Sequence, residues 1–192
     1  GYTLLVASSS YQEALEEEQI RTLTARGADG LLLIGFHRNA RVYEFLKTRS
    51  VPALVAWAYD AENNTPSIGF SNKHAMVDLA RIVFEKGHRH IGMISADTTA
   101  NDRARDRLTG VKLAAGEAGL DVDRMPVIET TYSIECGVEA FRQIMAWTPR
   151  PTAVFCGNDV LAIGALRAAK EMGLSVPGDV SITGFDDIEL AS

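Results

Sequence analysis

Short apolar runs recur along the chain and are separated by longer segments that alternate between polar and apolar faces. In most of these runs both alternating positions are apolar, which is typical of strands covered by other elements on both faces. The predicted strands are residues 2–7, 30–35, 53–57, 67–70, 90–95, 126–130, 152–157 and 180–185.

The segments between several of these runs have apolar residues at spacings of three and four, which predicts amphipathic helices. The pattern starts at Ala75 in one segment, and two later segments show it more cleanly. Their apolar positions are Ala104, Leu108, Val111, Ala115 and Ala118, and then Ala162, Ala165, Leu166, Ala169 and Met172. Glycines stand where predicted helices end, at positions that suit a left-handed C-cap: Gly27, Gly87, Gly119 and Gly173.

Strands that alternate with helices in this way predict parallel sheets joined by right-handed crossovers. We therefore expect an α/β fold made of two doubly wound parallel-sheet lobes, both incomplete in this chain. Gly87 ends one predicted helix just before a new strand begins. This point predicts a boundary between a front lobe, residues 1–87, and a back lobe, residues 88–192.

Composition limits the classes of protein that the chain can represent. Of its 192 residues 46% are hydrophobic and 23% charged, the balance of a globular domain. No apolar run approaches the roughly 20 residues that span a bilayer, and the first residues lack the basic stretch of a signal peptide. A net charge of -6 and a pI near 5.2 argue against nucleic-acid binding by this segment itself. Cys136 and Cys156 form no metal or disulfide framework, and we expect both thiols to be reduced.

Ligands of parallel α/β sheets bind beyond the carboxyl ends of the strands, which selects the polar residues to consider. Arg107 lies at the edge of a buried helical face, where its guanidinium could bind two ligand oxygens or pair with Asp102 or Asp106. Asn158 and Asp159 open a predicted helix, so each could cap that helix or face a ligand.

Two adjacent carboxylates, Asp186 and Asp187, follow the last predicted strand. Three roles are open to them from the residues alone. They could accept hydrogen bonds from a polar ligand, share acid–base or divalent-cation chemistry with Asp159, or cap the turn after the strand.

Three strings carry a resemblance that the individual residues do not. "EKGHRHIGMIS", "NDRARDRLTGVKLA" and "PTAVFCGNDVLAIGALRAAKEMGLSVPGDVSITGFDD" occur in this order. Together they resemble the effector-binding core of the lactose-repressor/galactose-repressor (LacI/GalR) family of bacterial transcription regulators. The resemblance implies two periplasmic-binding-protein-like lobes with a small ligand in the cleft, and a DNA-binding helix-turn-helix head that is absent here.

The resemblance also implies which residues meet the ligand. It assigns effector contacts to Arg107, Asp186 and Asn158, treats Asp159 as structural and leaves Asp187 a supporting role. Tyr132 matches a position at which the family often places an aromatic ring against the ligand. His74 matches a cleft-facing position of the front lobe, although histidine is not the usual residue there.

The function that we expect is a ligand-sensing domain that binds a sugar-like effector and changes the operator affinity of the missing head. We expect a cytoplasmic homodimer without cofactor or metal. One alternative is a periplasmic solute-binding protein for a sugar transporter. Another is a magnesium-dependent enzyme that uses Asp159, Asp186 and Asp187, but the chain has no G-x-x-x-x-G-K-[ST] motif to cradle a phosphate. We also expect the protein to begin before Gly1 and to continue past Ser192.

Overall fold

A computed structural model describes residues 1–191 of the chain, and Ser192 lies outside the described residues. The chain forms two compact units. The first contains Gly1–Ser71 with Thr99–Asp102, and the second contains Asn72–Thr98 and the residues from Arg103 onward. The chain therefore passes from one unit to the other three times.

The described residues form six α-helices and seven β-strands, in the alternating order that the sequence predicts. The helices are α1 (Glu13–Ala25), α2 (Ala40–Thr48), α3 (Asn72–Glu85), α4 (Asp102–Glu117), α5 (Ile134–Met145) and α6 (Asp159–Glu171). The strands are β1 (Leu31–Ile34), β2 (Ala53–Ala56), β3 (Ser67–Ile68), β4 (Ile91–Ser95), β5 (Val127–Glu129), β6 (Ala153–Cys156) and β7 (Ser181–Thr183). Two 3₁₀ turns, Val122–Arg124 and Glu189–Ala191, complete the regular structure.

The first unit is built on a three-stranded parallel sheet in the order β1-β2-β3. Leu33 of β1 and Val55 of β2 are register partners, and both are buried. They pack with Ile20 of α1 and with Val42 and Leu46 of α2 in one core cluster. The apolar stripes of α1 and α2 thus bury the face of the sheet that carries Leu33 and Val55.

Seven of the eight predicted strands form within the described residues, but the predicted strand at residues 2–7 is wrong. Tyr2, Leu4 and Val6 are exposed, and the segment has no regular structure. A strand needs a neighbour for its backbone N–H and C=O groups. No other strand in the described part of the chain pairs with residues 2–7.

The second unit has a four-stranded parallel sheet in the order β5-β4-β6-β7. Ile94, Val154 and Cys156 lie in a core cluster with α5 and α6, whereas Met93 and Phe155 lie in another with α3 and α4. Because successive strand residues point to opposite faces, helices cover this sheet on both sides. The predicted doubly wound α/β architecture is confirmed for this unit.

Helices α5 and α6 approach each other closely at two glycines. A Cβ atom on Gly164 would lie 2.3 Å from the Ile134 carbonyl oxygen and 2.8 Å from the Gly137 Cα atom. A Cβ on Gly137 would lie 2.6 Å from the Leu161 carbonyl oxygen. Only glycine fits at these two positions, so Gly137 and Gly164 allow α5 and α6 to pack this closely.

The first change from one compact unit to the other falls between Ser71 and Asn72, and the lobe boundary at Gly87 stays a prediction. Met76, Ala80 and Phe84 of α3 are buried in a cluster with Ile91 and Met93 of β4. The glycine after α3 ends the helix without ending the unit, because the apolar face of α3 packs on the strand that follows it. His74, which we expected on the front lobe, therefore belongs to the second unit.

All four predicted glycine caps are confirmed, because each glycine has a positive φ: 86° at Gly27, 94° at Gly87, 74° at Gly119 and 70° at Gly173. Helix α2 ends in the same way without a glycine. Ser50 has φ 54°, and its N–H donates to the Lys47 carbonyl oxygen at 3.1 Å. None of the described helices is long and apolar enough to cross a membrane.

Candidate functional site

The candidate site lies at the carboxyl edge of the sheet in the second unit, where polar residues follow each strand. All strands of this sheet are parallel, so the loops after β4, β5, β6 and β7 emerge on the same edge. The loop after β4 is fixed by β5: Glu129 accepts hydrogen bonds from the Thr98 N–H at 3.0 Å and the Thr98 hydroxyl at 2.7 Å. These two hydrogen bonds fix the loop after β4 to the end of β5.

Arg107 is the buried cation of this edge. It lies on α4, its side chain is 8% exposed, and its described partners come from other elements. Its Nε–H donates to Asn72 Oδ1 at 2.8 Å, and its Nη1–H donates to the Gly157 carbonyl oxygen at 2.5 Å. Asn72 opens α3 and Gly157 follows β6, so the guanidinium joins two loops to its own helix.

The same guanidinium meets the turn after β7. Its central carbon lies 3.9 Å from the centroid of the Phe185 ring, a cation–π contact. Its Nη2 atom lies 3.4 Å from Asp186 Oδ1, a longer separation than those to Asn72 and Gly157. The Asp186 side chain is 42% exposed. Arg107 is thus held mainly by buried groups, while Asp186 lies beside it at the surface of the unit.

Partial burial of Asp186 opposes its ionisation. Burial raises the pKa of Asp186, the Arg107 guanidinium lowers it, the negative charge of Asp159 raises it, and the Arg103 guanidinium lowers it. Desolvation is the largest of these effects, so the pKa lies above its usual range. A ligand that donates hydrogen bonds to this carboxylate stabilises its charged form.

Asn158 and Asp159 both act on local structure. Asn158 is the N-cap of α6, and its Oδ1 accepts a hydrogen bond from the Leu161 N–H at 3.0 Å. Asp159 is buried, and its Oδ2 accepts from the Ile188 N–H at 2.9 Å. Two roles were open for Asn158, helix capping and ligand contact. Its side-chain oxygen is used for capping, and its contact with an effector stays a prediction.

Tyr132 and His74 lie on other elements than Arg107 and Asp186. Tyr132 follows β5, three strands from β7, which separates their ends by about 14 Å at the usual strand spacing. Its ring is half-buried and packs against the core beneath α5 and α6. His74 is exposed on the first turn of α3. Contacts of both residues with an effector remain predictions.

Sequence reasoning assigned no role to two residues that contact the Arg107 guanidinium, Asn72 and Phe185. Asn72 is 1% exposed and offers its oxygen to Arg107 from a position 35 residues away in the chain. An asparagine before a helical pattern normally indicates a cap, and no local signal distinguishes the two roles. Phe185 could have been found as an aromatic residue beside an acid at a strand end.

The structure offers no support for the cation site considered for Asp159, Asp186 and Asp187. Among the residues that the structure describes, no group of three histidine, cysteine, aspartate or glutamate side chains could hold a metal ion. Asp159 uses its carboxylate on the backbone of residue 188, and Asp186 faces Arg107. The carboxylates of this edge serve hydrogen bonding and ion pairing.

Comparison with known proteins places the chain in a class. The family profile of the periplasmic binding protein-like domain matches residues 80–192. The repressor CytR of Escherichia coli is 34% identical, with 99% of this chain and 55% of that protein covered. Catabolite control protein A of Priestia megaterium is 27% identical, with 100% of this chain and 58% of that protein covered. The chain therefore spans about half the length of these relatives.

A solved structure agrees with these sequence matches. A LacI family transcriptional regulator from Silicibacter pomeroyi superimposes with a TM-score of 0.87 at 29% identity, covering 96% of this chain and 69% of the other. The chain belongs to the periplasmic-binding-protein-like domains of the LacI family of regulators. The resemblance drawn from the three sequence strings is confirmed.

Proposed function

We propose that the chain is the effector-binding core of a transcriptional regulator of the LacI family. The observation that carries this proposal is the pairing of Arg107 with Asp186 at the carboxyl edge of a doubly wound sheet, 3.4 Å apart. One donor and one acceptor side by side suit a small polar molecule with neighbouring hydroxyl or carbonyl groups. The relatives named above are a repressor and a control protein, which favours a regulator over a transport receptor or an enzyme.

The effector in this proposal is a sugar or a sugar derivative. The hydroxyls of such a molecule donate to the Asp186 carboxylate and accept from arginine N–H groups. Each charge-assisted bond of this kind contributes about 1.5 to 3 kcal/mol. The Asn158 side chain and the Tyr132 and His74 rings are further candidate contacts, and they rest on the family resemblance.

Regulation in the complete protein requires parts outside this chain. With a net charge of -6, the chain leaves DNA contact to a helix-turn-helix head elsewhere in the protein. The effector changes the operator affinity of a cytoplasmic homodimer by favouring one conformation of the core over another. Such coupling is typically about 1 to 3 kcal/mol, a change of about five- to 150-fold in DNA affinity.

A thermal-shift screen of the intact regulator tests this proposal. The panel contains sugars, sugar phosphates, nucleobases and amino acids. The pairing of Arg107 with Asp186 favours the first two classes, and the other two serve as comparisons. A ligand at about 100 times its Kd adds about 2.7 kcal/mol of stability. We expect a sugar-class hit whose shift is lost in Arg107→Ala and in Asp186→Ala. A hit that both variants bind as the wild type does would place the site elsewhere.

A further inference from the structure

The turn after β7 has an unusual backbone for the residues that form it. Asp186 has φ 101° and Asp187 has φ 55°, so two consecutive residues with side chains adopt the left-handed region. Aspartate adopts this region more often than most residues with side chains, but two such residues in succession are uncommon. Hydrogen bonds from the rest of the unit would stabilise this turn.

Asp159 makes hydrogen bonds with the residues directly before and directly after Asp186 and Asp187. Its own N–H donates to the Phe185 carbonyl oxygen at 2.9 Å, on the residue before Asp186. Its carboxylate Oδ2 accepts from the Ile188 N–H at 2.9 Å, on the residue after Asp187. One buried residue at the start of α6 therefore bonds to the backbone on either side of Asp186 and Asp187.

The second carboxylate oxygen of Asp159 faces the strand end that leads into the turn. A Cβ atom added to Gly184 would lie 2.1 Å from Asp159 Oδ1 and 3.3 Å from its Cγ. Glycine is thus the only residue that lets the backbone approach the carboxylate so closely. Asp159 therefore contacts the backbone of the turn at Gly184, Phe185 and Ile188.

The contact between Asp186 and Arg107 does not fix the turn by itself. It is long, at 3.4 Å, and the Asp186 side chain is 42% exposed. Arg107 donates shorter hydrogen bonds to Asn72 and Gly157. The backbone of the turn therefore has to contribute to the position of the Asp186 carboxylate.

We propose that Asp159 is the positioning residue of the effector site: its two backbone hydrogen bonds hold Asp186 in the left-handed conformation that places its carboxylate beside Arg107. This inference deepens the proposed function, because it takes Asp186 as the effector contact. Asp159 itself stays buried behind the turn and touches no effector.

The test measures the unliganded protein by NMR, so its outcome does not depend on whether an effector binds. Two quantities are followed: the exchange rate of the Ile188 amide and the titration of the Asp186 carboxyl carbon. Asp159→Asn keeps an acceptor oxygen and removes the charge, whereas Asp159→Ala removes both. Asp179→Ala is the matched control, because it removes an equivalent carboxylate bond to a backbone N–H, that of Ser175 at 2.7 Å, in the turn before β7.

In Asp159→Ala we expect the Ile188 amide to exchange about tenfold faster, the change that follows loss of one hydrogen bond. The pKa of Asp186 should fall below its value in Asp159→Asn, because the opened turn exposes the carboxyl group to water. Asp159→Asn should keep the Ile188 exchange rate within about threefold of the wild type, since the amide oxygen still accepts.

Gly184→Ala supplies a second route if Asp159→Ala does not fold. Its methyl group displaces the Asp159 carboxylate and should speed Ile188 exchange in the same way. The inference is overturned if Ile188 exchange and the Asp186 titration stay at wild-type values in Asp159→Ala and Gly184→Ala. It is also overturned if Asp179→Ala changes the Asp186 titration as much as Asp159→Ala does.

Discussion

Replacing Arg107 by alanine should destabilise the protein even without an effector, whereas replacing Asp186 by asparagine should not. Arg107→Ala removes the hydrogen bonds that Asn72 Oδ1 and the Gly157 carbonyl oxygen accept from the guanidinium, and both residues are buried. The loss of a buried donor costs about 1 to 3 kcal/mol for each acceptor. The lost contact with Phe185 adds about 1 kcal/mol. We expect a total loss of about 4 kcal/mol in the free energy of unfolding.

Asp186→Asn removes a half-exposed charge at 3.4 Å from its partner, and such a pair contributes about 0 to 1 kcal/mol. The pKa of Asp186 is raised above its unfolded value, chiefly by burial. A carboxyl group of this kind stabilises the fold only while it is protonated, and this contribution is lost as the pH rises through its folded pKa. At pH 7 the variant should therefore match the wild type or be slightly more stable, and below the raised pKa the wild type should regain the difference.

Urea denaturation followed by circular dichroism measures both free energies, provided that the dependence on urea is unchanged between variants. Arg107→Lys is the control for charge, because lysine keeps the cation but cannot reach Asn72 and Gly157 at once. It should retain less than half of the stabilisation that Arg107→Ala loses. The reasoning is refuted if Arg107→Ala costs under about 1 kcal/mol, or if Asp186→Asn costs as much as Arg107→Ala.

Three further predictions concern packing, backbone conformation and thiol chemistry. Gly164→Ala should lower the free energy of unfolding by about 1 to 3 kcal/mol, because its Cβ meets the facing helix. Gly116→Ala, with no atom within 4 Å of the added Cβ, should raise it by about 0.5 to 1 kcal/mol. Urea melts in which both variants change stability in the same direction would contradict this. Ser50→Gly should stabilise the protein by about 1 kcal/mol, because glycine adopts φ 54° without strain. The midpoint of thermal unfolding should therefore rise, and an unchanged midpoint would contradict the prediction. In thiol labelling at pH 8, Cys136 should react first, because hydrogen bonds from Ser133 and its neighbours lower the pKa of its thiol, whereas burial raises the pKa of Cys156; faster labelling of Cys156 would reverse that assignment.

The sequence predicts the fold well because its signals are local. Apolar runs and glycine caps identify seven of the strands and four of the helix ends within the described residues. The unit to which α3 belongs depends on a non-local contact, since its apolar face packs on β4 in the second unit. The strand predicted at residues 2–7 was wrong because a strand also needs a neighbour, which its own pattern does not reveal.

The candidate site could be predicted only as far as strand ends indicate it. Arg107 and Asp186 were selected from the sequence, and the structure brings them within 3.4 Å of each other. The part that Asn72 plays depends on a contact between residues 35 positions apart in the chain. The two hydrogen bonds of Asp159 to the turn likewise depend on the pairing of β6 with β7. Side-chain partners set by tertiary packing leave no pattern in the local sequence.

The measurement that tests the central claim most directly is isothermal titration of the screened effector into the intact regulator and two neighbouring variants. Asp186→Asn removes the carboxylate beside Arg107, and Asp187→Asn makes the same change one residue further along the same turn. We predict that Asp186→Asn weakens the Kd by about 10- to 150-fold, the loss of one charge-assisted hydrogen bond, and that Asp187→Asn stays within about threefold of the wild type. A wild-type Kd in Asp186→Asn, or an equal loss in both variants, would contradict the proposed site.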